Sequence, residues 1–363
     1  MDREVLILGG YGNFGKRIAV GLTGCGVRVV VAGRNMDKAE HLARSLPPSM
    51  ATAAAFDVRS ELAAQLDALH PCVVVNTCGP FQTSGYDIAR LCIERRVHYV
   101  DLADARDFVS GIAALDADAK AHGVAVIGGA STVPGLSSAV VGHFRREFST
   151  IELLRFGISP GQKAERGLAT TQAILSYVGK PLKPFIGVRG QVYGWQDIYR
   201  QDYPELGRRW MANCDIPDLD LLPVRYEISS IRFSAGLELG VLHLGLWLLS
   251  WLVRLGLPLD LPRHARALLK ASDWFNGIGS ADGGMHVILR GKDGAVKPHE
   301  RRWFLIAKNG DGPQIPCVPA IVLARRLASG EPPVTGAYPC VGLVSLEEYL
   351  HELRAFEVRQ YVF

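Results

Sequence analysis

The 363-residue sequence lacks the patterns that identify several large classes of protein. Its seven cysteines are odd in number, scattered and without a C-x-x-C pair. This argues against a disulfide framework or a structural zinc site and fits reduced thiols in a cytoplasm. None of the ten histidines belongs to an H-E-x-x-H motif, so we expect no metal site. The formal charge of +4 is small for this length, and no basic arm or RNA-binding motif occurs, so we expect no nucleic-acid partner.

The sequence also has no internal repeat and no low-complexity tract. The opening MDREVLIL contains neither the basic region nor the apolar segment of a signal peptide, so we expect a cytoplasmic protein. Hydrophobic residues make up 48% of the chain and charged residues 21%, which is typical of globular proteins. The length predicts about two domains.

The strongest functional signal lies in the opening stretch EVLILGGYGNFG (4–15). The apolar run 5–8 predicts a strand, a helical pattern follows, and between them Gly10, Gly12 and Gly15 form G-x-G-x-x-G. In such a motif the glycines permit a tight turn, a close approach to a pyrophosphate, and helix packing near the strand. The N–H groups and the dipole at the helix start favour phosphate. We interpret the stretch as a dinucleotide-binding turn; the alternative is an ordinary glycine-rich turn.

The end of the second strand bears on the choice of nicotinamide cofactor. The run VRVVVA (27–32) is almost continuously apolar, as expected for a parallel strand covered on both faces. NAD sites usually place an acid at the end of this strand, whereas NADP sites place an arginine near the 2′-phosphate. Here the end reads Gly33-Arg34-Asn35, and the first acid is Asp37 in the next helix. We favour NADP; the alternative for Arg34 is a solvated arginine at a helix start.

Strands and helices alternate until about residue 130 and predict an α/β fold. Further strands are expected near 53–56, 72–78, 97–103 and 124–130. Such alternation predicts a Rossmann-type, doubly wound parallel sheet. Ligands of these sheets bind at the carboxyl ends of the strands, where Asn76, Thr77 and Gly79 lie. Asp57 also ends a strand, as an adenine contact or as a helix cap.

Five segments carry a family resemblance: GGYGNFG (9–15), AGRN (32–35), VVNTCGPF (74–81), HYVDLAD (98–104) and GGASTVPGLSS (128–138). In this order they resemble the saccharopine dehydrogenase-like NADP-binding family over roughly residues 1–140. The resemblance implies an oxidoreductase that holds NADP(H) through the three motif glycines and Arg34, with the nicotinamide near Gly79, Pro80 and Asp101. It implies no particular substrate, because the family includes amino-acid dehydrogenases, polyamine-forming enzymes and a lipid enoyl reductase.

The motif and the resemblance together give the candidate site. The cofactor-binding candidates are Gly9, Gly10, Tyr11, Gly12, Asn13, Phe14, Gly15, Arg34, Asn35, Asp57, Asn76, Gly79, Pro80 and Phe81. Tyr99 and Asp101 lie on one side of the fifth strand and are the catalytic candidates, with a helix cap as the alternative for Asp101. None of the eleven tyrosines is followed four residues later by lysine, so the Tyr-x-x-x-Lys pair of short-chain dehydrogenases is absent.

The pattern changes after the predicted nucleotide-binding domain, 1–135. Residues 136–312 predict an α+β domain for substrate binding and dimerisation, with strands near 153–159, 186–194, 226–234, 284–291 and 301–308. We expect a homodimer. Residues 313–363, with helices near 315–330 and 345–356, are expected to return to the first domain.

An apolar helix near 237–256 distinguishes this chain from generic dehydrogenases. The fifteen residues between Glu238 and Arg254 carry no charge. As a helix they extend about 22 Å, short of the roughly 30 Å hydrocarbon core of a bilayer. A helix that is apolar nearly all round must be buried. The core or a dimer contact, a membrane surface and a true span are the three possible environments, and the basic stretch that follows favours head groups in the second case.

These observations lead to two main hypotheses about function and to a third, a purely structural dimer built around the apolar helix with no affinity for NADPH. The first is an NADP(H)-dependent oxidoreductase that acts on an unidentified small molecule with a C=O, C=N or activated C=C group, which the apolar helix suggests is lipid-like. The second is a non-catalytic, lipid- or membrane-associated protein that retains a nucleotide-binding Rossmann fold.

Overall fold

The structure, a computed structural model, describes residues 4–331 and 334–363, which form two compact units. The first unit contains the described residues of Met1–Leu136 and Gln314–Val344, and the second contains Ser137–Pro313 and Ser345–Phe363. The expectation that all of 313–363 returns to the first domain is therefore wrong for its last part. Residues 345–363 belong to the second unit because the final strand pairs with that unit's sheet.

A parallel sheet forms the centre of the first unit. Its strands are β1 (Val5–Leu8), β2 (Val29–Gly33), β3 (Ala51–Ala55), β4 (Val73–Asn76), β5 (His98–Asp101), β6 (Ala125–Gly128) and β13 (Gly336–Pro339). They lie in the order β13-β6-β5-β4-β1-β2-β3. The order 3-2-1-4-5-6 within this sheet is that of a doubly wound Rossmann fold, which confirms the predicted fold class. The strand β1 has no exposed residue, as a parallel strand covered on both faces requires.

Helices cover both faces of this sheet. They are α1 (Asn13–Gly24), α2 (Met36–Ser45), α3 (Leu62–Leu69), α4 (Asp87–Glu94), α5 (Arg106–Gly111), α6 (Asp116–His122) and α12 (Val318–Ser329). Leu6, Leu8 and Val74 pack with residues of α3, α4 and α6 in one core. The helix α12, from the C-terminal part of the chain, contacts α1, β4 and β5. Gly330 ends α12 in the left-handed conformation, with φ of 84°.

A mixed sheet forms the centre of the second unit. Its strands are β7 (Thr150–Ser159), β8 (Tyr199–Tyr203), β9 (Gly207–Asn213), β10 (Ile231–Ala235), β11 (Gly283–Lys292), β12 (Pro298–Ala307) and β14 (Val358–Val362). They lie in the order β14-β12-β11-β7-β10-β9-β8, with β7 and β10 parallel. The predicted strand 186–194 is wrong: this segment forms only isolated bridges, at Tyr193 and Gly194.

The helices of the second unit include the apolar helix found in the sequence. They are α7 (Ser137–Phe144), α8 (Leu168–Tyr177), α9 (Asp218–Tyr226), α10 (Gly240–Arg254), α11 (Ala265–Asp273) and α13 (Leu346–Glu352). Ser345 is the N-cap of α13, and its hydroxyl accepts a hydrogen bond from the Glu348 backbone at 3.2 Å. Among the described residues, no helix combines the length and the apolar character needed to cross a membrane.

The helix α1 packs unusually close to the end of β1. A Cβ built on Gly15 would lie 2.3 Å from the Gly9 carbonyl oxygen and 2.8 Å from the Gly10 Cα, so backbone meets backbone with no room for a side chain. A Cβ built on Gly24, at the other end of α1, would have no atom within 4 Å. At Gly15 the helix therefore leaves no room for a side chain, whereas Gly24 is exposed to solvent.

This difference predicts opposite effects for two substitutions in one helix. Gly15→Ala should lower the free energy of unfolding by about 1–3 kcal/mol, because backbone atoms must move to admit the methyl group. Gly24→Ala should leave stability unchanged or raise it by up to about 1 kcal/mol, because alanine favours the helix. Urea unfolding of the full chain measures both, and equal effects of the two substitutions would contradict the close packing at Gly15.

Candidate functional site

The turn after β1 is held by main-chain hydrogen bonds. The Gly10 N–H donates to the Ala32 carbonyl at 2.8 Å, and the Gly12 N–H donates to the Gly9 carbonyl at 2.8 Å. Gly9 has φ of 72°, a left-handed conformation that favours glycine, and a Cβ there would lie 2.6 Å from Thr77 Oγ1. The turn is thus closed on its protein side by β2 and by the segment after β4.

Gly12 leaves the other side of the turn open. It is the N-cap of α1, and a Cβ built on it would meet only the Gly9 carbonyl oxygen, at 3.0 Å. Because glycine has no side chain with which to cap the helix, the helix N-terminus and its positive dipole end face this open side. The first turn of α1 contains no acidic residue. These features fit a bound diphosphate, which needs backbone N–H groups and a close approach.

The turn lies at the point where the strand order reverses. The strand β1 pairs with β2 on one side and with β4 on the other, so a crevice opens between the segments that leave β1 and β4. Thr77 fixes the second segment: its N–H and its hydroxyl both donate to the Leu8 carbonyl, at 3.0 and 2.8 Å. The sequence places Thr77 at the ligand-binding end of its strand, whereas Cys78, in the same segment VVNTCGPF, is not a predicted contact.

Tyr11 and Asn35 organise the turn after β2. The Tyr11 hydroxyl accepts a hydrogen bond from the Asn35 N–H at 3.0 Å. The Tyr11 ring packs on Gly33, and a Cβ built on Gly33 would lie 2.4 Å from Cε1 of Tyr11. The Asn35 side chain caps α2 by accepting from the Lys38 N–H at 2.9 Å. Both predicted contacts therefore lie beside the crevice, with the polar atoms of their side chains engaged in the turn.

Arg34 stands exposed in this same turn. Within the described part of the chain its guanidinium forms no ion pair. Cys78 lies across β1 from this turn and is exposed to water. Desolvation by the surrounding protein raises the pKa of its thiol to about 11, and the positive charge of Arg34 opposes this rise. The charge of Arg34 therefore affects the pKa of a thiol on the opposite side of the glycine turn.

The remaining predicted cofactor contacts lie around the crevice with different surroundings. Asn13 and Phe14 form the first turn of α1, and the Arg17 guanidinium donates to Asn13 Oδ1. Asp57 is exposed, and its Oδ1 accepts from the Arg59 N–H at 2.9 Å in the turn that leads to α3. The structure thus gives Asp57 a turn-forming contact.

The segment after β4 brings three further predicted residues together. The Gly79–Pro80 peptide bond is cis, and Pro80 is exposed. Phe81 is buried, with its ring centroid 5.3 Å from that of Phe108 in α5. Phe81 therefore anchors this segment on the next helix, while Gly79 and Pro80 remain at the surface of the crevice.

A buried chain of polar side chains runs beneath the loops after β4, β5 and β6. Asn76, only 2% exposed, accepts from the Cys78 N–H at 3.0 Å through Oδ1 and donates through Nδ2 to the Tyr99 hydroxyl at 3.0 Å. Tyr99 is 1% exposed. Its hydroxyl lies close enough to Asp101 to lower the pKa of that carboxyl.

Asp101 completes the chain. Its Oδ1 accepts from the Ala103 N–H at 2.9 Å and from the Gly129 N–H at 2.8 Å, and its main-chain carbonyl accepts from the Ala130 N–H at 2.7 Å. Complete burial raises the pKa of Asp101 to about 6, against the effect of these N–H donors. One carboxylate therefore ties the loop after β5 to the loop after β6.

This geometry bears on the two predicted catalytic residues. Asp101 has no exposed surface and Tyr99 almost none, so neither side chain reaches the open crevice in this structure. Their contacts are those of positioning residues that fix three loops at the carboxyl edge of the sheet. A direct role in proton transfer stays a prediction. Within residues 4–331 and 334–363 no group of three or more His, Cys, Asp and Glu residues could bind a metal ion.

Comparison with known proteins finds a family model that matches part of the first unit. Residues 5–127 match the model of the saccharopine dehydrogenase NADP-binding domain. Among solved structures, saccharopine dehydrogenase (L-Glu forming) from Saccharomyces cerevisiae is similar with a TM-score of 0.66 and 13% identity, over 99% of this chain and 100% of that one. A meso-DAPDH mutant with DAP from Clostridium tetani E88 is similar with a TM-score of 0.50 and 13% identity, over 97% and 98%. At such identities the likeness shows the fold alone. A search of curated protein sequences found no match.

The buried carboxyl of Asp101 predicts a pH-dependent stability. An acid whose pKa is raised in the fold stabilises the fold while protonated; this contribution is complete below the unfolded value of 3.8 and is lost as the pH rises through about 6. Asp101→Asn removes the titration and keeps an acceptor oxygen. Its free energy of unfolding relative to the native chain should therefore rise by about 2–3 kcal/mol between pH 4 and pH 7.

Urea unfolding at several pH values measures this difference, and a flat difference would contradict the assigned burial of the charge. Asp101→Ala provides a second comparison. It leaves the N–H groups of Ala103 and Gly129 without their acceptor and should be less stable than Asp101→Asn at every pH.

Proposed function

Because its first domain belongs to the saccharopine dehydrogenase NADP-binding domain family, we propose that the protein is an NADP(H)-dependent oxidoreductase. The observation that carries the proposal is the open side of the glycine turn. Gly12 presents a bare helix N-terminus at the point where the strand order reverses, and the exposed Arg34 stands beside it. A diphosphate at Gly12 and a 2′-phosphate at Arg34 account for both features.

The chemistry that the cofactor supplies is the transfer of a hydride, two electrons and one proton, between nicotinamide C4 and a carbon of the substrate. For reduction of a C=O, C=N or activated C=C group, a second proton must reach the other atom of the double bond. Oxidation reverses both transfers. The electrons therefore balance without a further redox partner.

The protein's own contribution, in this proposal, is the placement of loops. The Asn76 amide and Asp101 carboxylate hold the segments at Cys78, Ala103 and Gly129 by hydrogen bonds to their main chain. These segments follow β4, β5 and β6, at the sheet edge where ligands of open α/β sheets bind. A site fixed by buried hydrogen bonds keeps its geometry while a ligand enters, and this preorganisation supports transfer over a short distance.

The preference for NADP over NAD rests on the turn after β2. No acid stands at the end of that strand, and Oδ1 of Asn35 caps α2. Arg34 offers a planar guanidinium without an ion-pair partner in the described residues. A guanidinium so placed is suited to a phosphate rather than to a neutral hydroxyl.

Replacement of Arg34 tests the cofactor preference. Arg34→Ala should weaken NADPH binding by about tenfold to a hundredfold, the loss of one charge-assisted contact, and leave NADH binding nearly unchanged. Arg44→Ala is the matched control, because Arg44 is an exposed arginine at the far end of α2. Isothermal calorimetry with both cofactors measures the effect. Equal losses for NADPH and NADH would refute the role of Arg34.

Replacement of Gly12 tests the diphosphate position separately. Its φ of −73° suits alanine, but the added Cβ would lie 3.0 Å from the Gly9 carbonyl oxygen, which must shift by a few tenths of an ångström, so Gly12→Ala should remain folded with a somewhat lower unfolding temperature. The methyl group would occupy the open side of the turn. We therefore expect NADPH and NADH binding to fall together by at least about tenfold. Unchanged binding in a folded variant would exclude a diphosphate at this turn.

A further inference from the structure

The helix α10 presents a continuous apolar stripe to solvent. Large side chains recur on its outer face at alternating spacings of three and four residues, and each is 36–73% exposed: Val241, Leu244, Leu248, Trp251 and Leu255. Leu257, just past the helix, is 44% exposed. Soluble proteins scatter such residues singly, so an unbroken row of them marks an interaction surface.

The opposite face of α10 is anchored in the second unit. His243 and Ser250 are fully buried, and the Trp195 ring packs 5.1 Å from the His243 ring. Leu246 and Trp247 join the hydrophobic core beneath the helix. The helix is therefore a fixed part of the fold, and its outer stripe is presented on a rigid support.

The next helix, α11, packs on the same core and has a basic outer face. Leu261, Ala265 and Leu268 join the core that α10 covers. The exposed basic residues, at helical spacing, are Arg263, Arg266 and Lys270, and Trp274 is exposed past the end of the helix. Asp273, also exposed, pairs with Arg166 at 3.6 Å. Among the described residues none of the three basic side chains forms an ion pair. Trp274 is 86% exposed, and Ile278 beyond it is 72% exposed.

A cleft between α8 and α11 adds a second feature of this surface. Its volume is about 450 Å³, and its lining contains no acid: Leu168, Gln172, Pro262, Arg263, His264, Arg266, Ala267 and Lys270. A cleft with two guanidiniums and an ammonium at its wall suits an anionic group such as a phosphate. The exposed Trp274 follows Lys270, which lines the cleft, by four residues, and exposed aromatic and basic side chains together are typical of proteins that contact lipid head groups.

We propose that α10 and α11 dock the protein on the surface of an anionic membrane. The apolar stripe would lie in the boundary between head groups and acyl chains, and the basic face would contact lipid phosphates. At 15 residues, α10 is about 22 Å long and lies along the surface rather than across a bilayer of roughly 30 Å. This inference does not depend on the proposed oxidoreductase activity.

The alternative occupant is a second copy of the chain. A single helix about 22 Å long and 10 Å wide offers a few hundred Å² at its outer face, whereas stable dimers bury about 800 Å² on each partner. Pairing of α10 with its copy would also leave the basic face of α11 without a complementary charge. The charge of the surface therefore favours anionic lipid.

Vesicle co-sedimentation of the full chain tests the proposal. The native protein should bind phosphatidylcholine vesicles containing phosphatidylglycerol at least tenfold more tightly than vesicles of phosphatidylcholine alone, and salt should weaken this binding. Leu248→Glu should reduce binding at least tenfold. The triple variant Arg263→Gln, Arg266→Gln, Lys270→Gln should lose about fivefold per residue on anionic vesicles. Val224→Glu, which replaces an 84% exposed valine on α9, is the matched control and should bind as the native protein does.

Two measurements decide against the proposal. If Leu248→Glu binds vesicles as tightly as the native protein while both unfold at the same temperature, the stripe is not the docking face. If light scattering shows that the native chain is a dimer, that Leu248→Glu is a monomer and that neither binds vesicles, the stripe belongs to a dimer contact. Cofactor binding should be the same in all variants, so a failure here is distinguishable from a failure of the proposed function.

Discussion

At Gly15 the backbone of α1 lies so near the Gly9 carbonyl that a single methyl group would be 2.3 Å from it. This contact places the start of the helix directly above the end of β1. The helix dipole and the N–H groups of its first turn are then aimed at one small volume, bounded by β2 and by the segment after β4. The remaining features of the candidate site, from the Tyr11 contact to the position of Arg34, are arranged around that volume.

The candidate site has two parts that depend on different physics. Around the glycine turn the structure uses main-chain geometry, and glycines are needed because side chains would fill the space. Under the loops after β4, β5 and β6 it uses buried side chains, with Asn76 and Asp101 as the main acceptors for loop N–H groups. A buried acceptor of this kind stabilises the loops strongly, because the N–H groups have no water to replace it.

The second unit combines a conventional mixed sheet with an unusual surface. The helix α10 is apolar on both faces, yet only one face is covered by the core. An apolar face without a partner costs free energy in water, so its retention needs a compensating contact. The basic residues of α11, which packs on the same core, would supply the charge that an anionic surface meets. The predicted homodimer and the predicted cytoplasmic location remain predictions.

The sequence alone determined the Rossmann fold and the position of the glycine turn, because continuous apolar strands, helical spacing and glycine placement are local signals. Local signals also located the caps at Ser345 and Gly330. Only the tertiary structure decided that Tyr99 and Asp101 are buried, that 186–194 is not a strand, and that 345–363 joins the second sheet. The same holds for which face of α10 meets solvent. Each of these depends on contacts between residues far apart in the chain, and the periodicity of a segment carries no information about its distant partners.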